Sequence, residues 1–329
     1  MVVPDPLVSI CVPTYRRAGH LRQTIESVLA QTFADFEIIV ADDCSPDETQ
    51  ALMVGITDPR VRYLRNEVNL GVPRNYNYAE SMARGRFLVL LGDHDVMEPT
   101  YLQEMLNVAE ANPRVGLVAS GLVVVDDLNV VRARYVNSFG PVMAGRTLLR
   151  RLLTRTTCPF PVTTLIRRSA AEEIKPLFDP QHWWYADQGL WLRLSARADF
   201  GYVAKPLLRF RTREAEHHLH GRDWESALCL DRIHREHWPL LHPHPTWQSG
   251  LDWVLYDLAK LRRAVMWRGG RKLRGEPWGP DDQRSTLLYL SGPSRIVLSL
   301  VGLIPPWLAA GFQKAWRWHM LTHRQQRVA

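Results

Sequence analysis

The sequence predicts an α/β fold: a mostly parallel β-sheet covered by helices, followed by a helical and basic C-terminal region. Three observations carry this prediction. Short apolar runs alternate with segments of helical periodicity over the first 125 residues. The apolar runs are continuous, which is typical of strands buried on both faces of a parallel sheet. The chain has 329 residues and is 46% hydrophobic, which is enough to bury a sizeable core.

Strands and helices alternate in the first part of the chain. The strands are expected at residues 7–12, 36–43, 61–64, 86–91 and 115–125. The helices between them are expected at residues 19–32, 45–56, 71–83 and 98–112. Ser45 is the expected N-cap of the second helix, since Pro46 lies in its first turn and Glu48 follows three residues after Ser45.

The pattern changes after about residue 145. A basic amphipathic helix is expected at 145–156, a strand and a helix within 161–174, and a loop, a helix and two strands within 182–214. From residue 221 onward the sequence has a helical pattern, is rich in Trp and becomes increasingly basic. We expect one domain over residues 1–220, with halves at 1–125 and 126–220, and a separate helical region over 221–329.

The charge distribution separates the C-terminal tail from the rest of the chain. From Lys260 onward there are thirteen Lys and Arg against three Asp and Glu, while the first 259 residues carry a net charge of about −3. Residues 296–312, which follow Arg295, are apolar, but Pro305 and Pro306 interrupt them. Apolar surface beside Trp and cations is typical of a segment at a membrane interface. We therefore expect residues 295–318 to bind an anionic membrane surface; packing against the core and a true span are the alternatives.

The remaining bulk features indicate the compartment and the partners. The N-terminal segment MVVPDPLVSI has no basic stretch followed by an apolar run, so no secretory signal is expected. The four cysteines form no C-x-x-C pair, which favours a reduced cytosolic compartment over a disulfide framework or a zinc site. A membrane explains both the basic and the apolar character of the tail, so no nucleic-acid partner is expected. The expected location is cytoplasmic and peripheral, at the inner face of the cell membrane.

Polar motifs follow four of the predicted strands, in the order VPTYRR, ADDCSPDE, RNEVNLGVPRNYN and LLGDHDVMEP. Ligands of parallel sheets bind at the carboxyl ends of the strands. In GDHD, the carboxylates of Asp93 and Asp95 with the imidazole of His94 suit Mg²⁺ or Mn²⁺. The alternative is an Asp-rich turn that caps the helix starting near Pro99.

This ordered set of motifs resembles the family 2 glycosyltransferases, which are inverting nucleotide-sugar enzymes with the GT-A fold, a Rossmann-like nucleotide-binding sheet. The resemblance covers about residues 7–215. It implies transfer of a sugar from a nucleoside diphosphate sugar, with UDP-sugars favoured, to a glycan or lipid-linked acceptor in cell-envelope polysaccharide or glycolipid synthesis. It also implies a Mn²⁺ or Mg²⁺ cofactor.

The resemblance assigns roles by position. It implies nucleotide contacts from Pro13, Thr14, Tyr15, Asp42, Asp43, Asn69, Gly71, Arg74 and Asp93. It implies metal ligands among Asp93, His94, Asp95 and His217. His94 stands where the usual family ligand is an acid, so either His94 binds the metal or Asp93 and Asp95 bracket it. In LLRFRTREAEHHLH, Arg213 stands where the family has a His, and His217 is the candidate to replace it.

The stretch WWYADQGLWLRL looks like the family's E-D-x-x-L-W-L-R motif. Asp187 then matches the general base, and Ala186 replaces the Glu before it. Neighbouring Trp side chains would desolvate the carboxylate of Asp187 and raise its pKa; the alternative is that Asp187 only N-caps the following helix. Trp183 and Trp184 are candidates to stack on an acceptor sugar, with packing in a lid or in the core as the alternative.

Two functions are weighed on this basis. The first is the inverting glycosyltransferase. The second is a catalytically inactive relic that binds nucleotide or glycan within a polysaccharide assembly complex, and the departures at Ala186, His94 and Arg213 motivate it. Nucleotidyl transfer is disfavoured because VPTYRRAGHL contains one glycine, and a dinucleotide oxidoreductase because G-x-G-x-x-G is absent after the first strand.

Overall fold

The computed structural model describes residues 4–155, 162–212, 223–244 and 246–273. The chain forms two compact units. The first contains Met1–Leu149 and Cys158–Leu219, and the second contains Arg150–Thr157 and His220–Ala329. His217 and residues 295–318, for which a metal-binding and a membrane-binding role are expected, lie outside the described residues.

The described residues of the first unit are built on one mixed sheet. Its strands are β1 (Val8–Thr14), β2 (Phe36–Asp42), β3 (Val61–Arg65), β4 (Phe87–Leu90), β5 (Val96–Met97), β6 (Val115–Val125), β7 (Val131–Tyr135), β8 (Val142–Met143), β9 (Leu165–Arg167) and β10 (Asp199–Arg211). The order across the sheet is β3-β2-β1-β4-β9-β6-β10-β5, with β7 beside β6 and β8 beside β10. Strands β1, β2, β3 and β4 are mutually parallel. Strand β9 lies between β4 and β6 and is antiparallel to both. The predicted α/β class is confirmed.

The helices lie between these strands in the chain and after them. They are α1 (Ala18–Leu29), α2 (Thr49–Val54), α3 (Val72–Ser81), α4 (Tyr101–Ala111), α5 (Gly145–Arg155), α6 (Arg168–Glu172), α7 (Ala186–Ser195), α8 (Asp223–Leu241) and α9 (Trp247–Leu273). A 3₁₀ turn, Pro180–Tyr185, precedes α7. Among the described helices, none combines the length and the apolar character needed to cross a membrane.

Two local expectations are wrong. Ser45 does not cap α2, which begins at Thr49; Asp47 instead accepts hydrogen bonds from the N–H and the hydroxyl of Thr49 (3.2 and 2.6 Å). The two strands expected before residue 214 are one strand, β10. Pro206 lacks the N–H that a regular ladder needs, and register shifts against β6 accommodate it without ending the strand.

The core lies where the central strands meet the helices. Strands β1, β2 and β4 are buried along their whole length, as the continuous apolar runs predict. Helix α1 buries Leu21, Ile25 and Val28 on one face. Each such side chain stabilises the fold by about 1.5–3 kcal/mol, so the positions of the strand ends are determined by a rigid core beneath them.

Candidate active site

Thr14 is the last residue of β1, at the side of the sheet where the carboxyl ends of β1, β2 and β4 lie together. Its carbonyl accepts a hydrogen bond from the N–H of Asp43 (2.9 Å). Its hydroxyl donates to Asp93 Oδ2 (2.8 Å). Pro13 before it is buried, and Tyr15 after it is 38% exposed. Because the three strands are parallel, the residues that follow β2 and β4 meet around this one residue of β1.

Asp42 ends β2 as a fully buried carboxylate. Its Oδ1 accepts a hydrogen bond from the N–H of Ser45 (2.9 Å). Its Oδ2 accepts one from the hydroxyl of Tyr63 (2.6 Å) and lies 3.4 Å from Arg65 Nε. A carboxylate offers about four lone-pair sites. These three contacts therefore leave one lone-pair site of Asp42 unused.

Asp43 holds the loop between β3 and α3. Its carboxylate accepts hydrogen bonds from Asn66 Nδ2 (2.9 Å) and from the N–H groups of Leu70 (2.7 Å) and Gly71 (2.9 Å). Gly71 has a φ of 80°, in the left-handed region that favours glycine, and it is the N-cap of α3. Asp43 thus determines where α3 starts.

Asn69 and Arg74 flank the start of α3. The exposed Asn69 donates from Nδ2 to the carbonyl of Asp43 (3.2 Å). Arg74, in the first turn of α3, is exposed, and its guanidinium has no hydrogen-bond partner among the described residues. An available guanidinium at a helix N-terminus is well placed to bind an anion such as a phosphate group.

Asp93 has a charged partner at the strand ends. Its Oδ1 accepts a hydrogen bond from Arg17 Nη1 (3.0 Å) and lies 3.0 Å from His94 Nδ1. Arg17 Nη1 also lies 2.7 Å from His94 Nδ1, so the guanidinium contacts both groups. Burial alone would raise the pKa of Asp93, but the contact with His94 and the charge of Arg17 outweigh it and lower the pKa. Asp93 is therefore an anion at neutral pH.

Asp95 has other hydrogen-bond partners than Asp93. Its Oδ2 accepts a hydrogen bond from the hydroxyl of Thr163 (3.0 Å), and its Oδ1 accepts one from the N–H of Arg211 (3.3 Å). Gly92 allows this close approach, since a Cβ there would lie 3.2 Å from Asp95 Oδ2. Burial raises the pKa of Asp95. The two carboxylates of GDHD have different hydrogen-bond partners, and the choice among Asp93, His94 and Asp95 as metal ligands stays a prediction.

These contacts test the expected divalent metal. In the parts of the chain that the structure describes, no group of three or more His, Cys, Asp or Glu side chains is arranged to hold a metal ion. Mg²⁺ in nucleotide enzymes needs only one or two carboxylates, because phosphate oxygens and water complete its shell. The anionic Asp93, with His94 beside it, fits that mode. Asp95 accepts one hydrogen bond on each oxygen, from Thr163 and from the backbone of Arg211, so each oxygen keeps one lone pair.

Asp187 lies in the first turn of α7, after the N-cap residue Tyr185, so it is not the cap itself. Its Oδ1 accepts a hydrogen bond from the N–H of Gln188 (2.8 Å). The side chain is half-buried, and burial raises the pKa of Asp187 to about 6. Trp191, one turn further along α7, is fully buried. No cation pairs with the carboxylate of Asp187 among the described residues, which leaves it as a proton acceptor near neutral pH.

The sequence did not indicate the contact between α3 and the segment before α7. Asn77 Nδ2 donates to the carbonyl of Phe178 (2.7 Å), and Asn77 Oδ1 accepts from its N–H (2.9 Å). The ring of Tyr76 stacks on that of Phe178, with 4.8 Å between centroids. Arg193 of α7 donates to the carbonyls of Pro176 (2.8 Å) and Leu177 (2.5 Å). We call this set, Tyr76, Asn77, Phe178 and Arg193, the α3–α7 brace.

Tyr76 of the brace lies near enough to Asp187 and to the strand-end acids for their charges to affect its pKa. Burial raises the pKa of Tyr76, and the charges of Asp93, Asp95 and Asp187 raise it further. All three carboxylates therefore act on one buried phenol. A signal for the brace was present in the run NYN, because Asn is unfavourable inside a helix unless its amide has a specific partner.

Arg211 is the last residue of β10. Arg211 is buried and donates to Gln23 Oε1 (2.8 Å) and Asn129 Oδ1 (2.7 Å). Trp183 and Trp184 lie in the 3₁₀ turn before α7, and their side chains fall outside what the structure describes. Arg213 also lies outside the described residues.

The comparisons with known proteins bear on this site. The model of the family described as "Glycosyl transferase family 2" matches residues 9–175, about half of the chain. The chain belongs to glycosyl transferase family 2. The match includes the strand ends at Thr14, Asp43 and Asp93, and it ends before Asp187. The match to family 2 therefore covers the site residues at the strand ends and does not reach Asp187.

Relatives of this family 2 chain include proteins of polysaccharide synthesis. The succinoglycan biosynthesis protein ExoO of Rhizobium meliloti (strain 1021) is 38% identical over 129 residues, which is 39% of this chain and 34% of ExoO. WcaA of Escherichia coli (strain K12), whose name links it to colanic acid biosynthesis and glycosyl transfer, is 34% identical over 104 residues, which is 31% of this chain and 37% of WcaA. The matches thus span about a third of these relatives.

Solved structures extend the likeness of this family 2 chain to most of its length. The crystal structure of S. aureus TarS 1–349 in complex with UDP has a TM-score of 0.57 at 15% identity and covers 90% of this chain and 87% of that one. The complex of TarS 1–349 with UDP-GlcNAc has a TM-score of 0.58 at 16% identity, with the same coverage. At this identity the likeness shows the fold, and the expected GT-A fold is confirmed.

Proposed function

We propose that the protein is an inverting glycosyltransferase that moves a sugar from a nucleoside diphosphate sugar to a glycan or lipid-linked acceptor in cell-envelope polysaccharide or glycolipid synthesis. Membership of family 2 supports glycosyl transfer, ExoO and WcaA support polysaccharide synthesis, and the TarS complexes favour a UDP-sugar. The observation that carries the mechanism is Asp187, a half-buried carboxylate with a pKa of about 6 and no cationic partner among the described residues.

The strand ends are the proposed donor site. Asp42 keeps one lone-pair site for an N–H of the base, while Asp43 positions the loop with Asn69 and Gly71 beside it. Pro13, Thr14 and Tyr15 border the nucleotide in this proposal. The exposed Arg74 binds the diphosphate at the N-terminus of α3, where the helix dipole adds to its charge.

Charge on the leaving diphosphate must be offset as the glycosidic bond breaks. Arg74 and Arg17 supply positive charge at the strand ends, and fixed charges in a partly dry site stabilise a transition state more than mobile ones in water. A Mn²⁺ or Mg²⁺ ion held by Asp93, with His94 beside it, would supply further neutralisation of the diphosphate.

Asp187 is the proposed general base. The acceptor oxygen forms its bond to the anomeric carbon from the face opposite the diphosphate. The bond from that carbon to the diphosphate oxygen breaks, and the hydroxyl proton passes to a carboxylate oxygen of Asp187. With a pKa of about 6, Asp187 is mostly ionised at pH 7 and still a stronger base than an ordinary Asp. Trp183 and Trp184, in the turn before α7, are the proposed stacking surface for an acceptor sugar.

The proposed location is cytoplasmic and peripheral, at the inner face of the cell membrane. The net positive charge from Lys260 onward and the apolar residues 296–312 suit an anionic membrane surface. A lipid-linked acceptor would be presented at that surface. No nucleic-acid partner is proposed.

A donor screen tests the proposal. The full chain is incubated with a panel of nucleotide sugars and Mn²⁺, with and without vesicles carrying lipid-linked acceptors, and released nucleotide is detected by mass. We expect turnover of at least one donor, with a UDP-sugar the best. Nuclear magnetic resonance of the product should show an inverted anomeric centre, because a single displacement occurs. A product of retained configuration, or no turnover of any donor, would contradict the proposal.

The alternative is an inactive relic that binds nucleotide or glycan in an assembly complex. It is favoured by Ala186, which stands in place of the family's Glu, and by the contact of Arg17 with both Asp93 and His94. Calorimetry with UDP and Mn²⁺ separates the two functions. Binding without turnover in the donor screen would support the relic, and turnover excludes it.

A further inference from the structure

Helix α9 presents an apolar face to solvent. We define the outer α9 face by Trp247, Leu251, Val254, Leu255 and Leu258, which are 80, 45, 52, 41 and 53% exposed. Their spacing of four, three, one and three residues puts them on one side of the helix. Single exposed apolar residues are ordinary on a soluble surface, but a continuous row over about three turns marks an interaction site.

The opposite face of α9 carries charged residues that are buried and paired. Asp252 and Lys260 are 0 and 1% exposed. Asp252 Oδ1 accepts a hydrogen bond from Arg150 Nε (2.8 Å), and Lys260 Nζ lies 2.8 Å from Asp231 Oδ1. Rotating α9 to bury its leucines would separate these pairs, and an unpaired buried charge is strongly destabilising. The packing within this unit therefore keeps the apolar face outward.

The chain that follows the outer α9 face is strongly basic. Residues 261–275 contain six Lys and Arg and no Asp or Glu. Helix α9 continues into this stretch, as far as Leu273. A helix with an outward apolar face that includes Trp and with adjoining cations has the composition of one that lies in the interface of an anionic membrane. The outer α9 face extends over about 16 Å of helix, since each residue rises about 1.5 Å, so it suits a helix lying on a bilayer.

We propose that the outer α9 face docks the protein onto an anionic lipid leaflet, with the apolar side chains at the boundary between headgroups and acyl chains. The basic residues that follow bind lipid phosphates. This inference rests on the peripheral membrane location proposed above, and it assigns the contact to α9 in addition to residues 295–318. Docking there would hold the protein next to a lipid-linked acceptor.

Vesicle flotation with the full chain tests the docking surface. Wild type is mixed with vesicles of phosphatidylcholine alone or of phosphatidylcholine with phosphatidylglycerol, and the floated fraction is measured. We expect binding to the anionic vesicles that weakens with salt. The double variant Leu251→Glu, Leu255→Glu should bind the anionic vesicles about tenfold more weakly, because two apolar contacts are replaced by charges of the wrong sign.

The matched control is Val54→Glu, which places the same charge at a 75% exposed apolar residue of α2. It should float like wild type. Unchanged circular dichroism and an unchanged melting temperature show that the double variant is folded, and Leu251→Ser, Leu255→Ser serves as a milder replacement if it is not. The serine variant should also bind more weakly, because it removes apolar contact without adding charge.

Several outcomes would overturn the docking proposal. Wild type that does not float, or a double variant that floats like wild type, contradicts it. Light scattering that shows a dimer for wild type and a monomer for the double variant, with flotation unchanged, would assign the face to a second copy of the chain. If Trp307→Glu, Leu308→Glu abolishes flotation and the α9 variant does not, residues 295–318 alone make the contact. Flotation is measured without any donor, so its result is separate from that of the donor screen.

Discussion

Asp43 and Asp187 are both carboxylates of the proposed site, and their surroundings differ in kind. Asp43 accepts hydrogen bonds from one side-chain amide and two backbone N–H groups, all from the loop that leads into α3. Asp187 accepts from the backbone of its own helical turn, and burial raises its pKa to about 6. The first uses its lone pairs to build the loop. The second keeps lone pairs available to accept a proton.

Asp93 lies between these two extremes. It accepts hydrogen bonds from Thr14 and Arg17, and because these contacts and the contact with His94 lower its pKa, it stays charged. The comparison shows that an acid's chemistry depends on how fully its oxygens are satisfied and on which charges are near it. Position within a motif does not settle this, since Asp93 and Asp95 are two residues apart and have pKa shifts of opposite sign.

The largest expected effect is that of Asp187→Asn. We expect the transfer rate to fall by about 10³-fold, because general base catalysis contributes about 10²–10⁴-fold. The melting temperature at pH 7 should rise, since the folded state no longer holds an ionised carboxylate that burial disfavours. Rates are measured with the best donor of the screen. Glu173→Gln, a change of the same kind at an exposed carboxylate, should leave both quantities as in wild type. An active Asp187→Asn enzyme would make Asp187 another structural acid, like Asp43.

The second effect concerns the charge at Asp93. If a divalent cation bound there supports the reaction, a chelator should lower the transfer rate by about 10²-fold, and Mn²⁺ should restore it. Asp93→Asn should weaken the response to Mn²⁺, because one anionic ligand is lost. Titration of the rate with Mn²⁺ measures both. Full activity in the chelator would mean that Arg17 and Arg74 neutralise the diphosphate without a metal.

The third effect is the pH dependence of wild type. The pKa of Asp187 is raised to about 6, so the base is lost by protonation as the pH falls through 6. We expect the rate at saturating donor to fall about tenfold between pH 7 and pH 5. Protonation relieves the cost of burying the charge, so this group by itself favours the folded state more at pH 5 than at pH 7. A flat profile down to pH 4 would contradict the raised pKa.

The fourth effect tests the α3–α7 brace. Asn77→Ala removes both hydrogen bonds to the backbone of Phe178. We expect kcat to fall about fivefold to tenfold with little change in KM for the donor, because small misplacement of a base is costly while the donor site is untouched. The acid limb of the pH profile should also move, which a purely structural loss would not produce. The control is Ser81→Ala on the same helix. It removes an exposed hydroxyl that donates a hydrogen bond to the backbone carbonyl of Tyr78.

The smallest effect is expected at Arg74. Because this guanidinium is exposed and screened by solvent, Arg74→Gln should raise KM for the donor only about threefold and leave kcat near wild type. Steady-state kinetics with a UDP-sugar measures the change. Arg114→Gln, at an arginine that is 85% exposed and paired with Asp199, should have no effect on KM. A large fall in kcat for Arg74→Gln would assign this residue to the transition state.

Much of the donor half was predictable because its signals are local. Strands β1, β2 and β4 are mainly apolar runs, α1 has helical periodicity, and polar residues follow each strand directly in sequence. For contacts between distant segments, a local signal such as the run NYN does not name the partner. Asn77 and Phe178 are 101 residues apart, and the N–H of Arg211 that binds Asp95 is 116 residues from it. Such pairs depend on the order of strands in the sheet, which periodicity does not encode.

The sequence by itself determined the α/β class, the strand ends with their acids and the identity of the candidate base, because each follows from residues close together in the chain. Only the tertiary structure decided how far the oxygens of each acid are satisfied by hydrogen bonds and which charges lie near them. It turned Asp95 toward Thr163, placed Arg17 on Asp93 and buried Asp187 without a cation among the described residues. The physical reason is that pKa and hydrogen bonding depend on the distances to groups from other strands and helices, and those distances exist only once the sheet and its helices are packed.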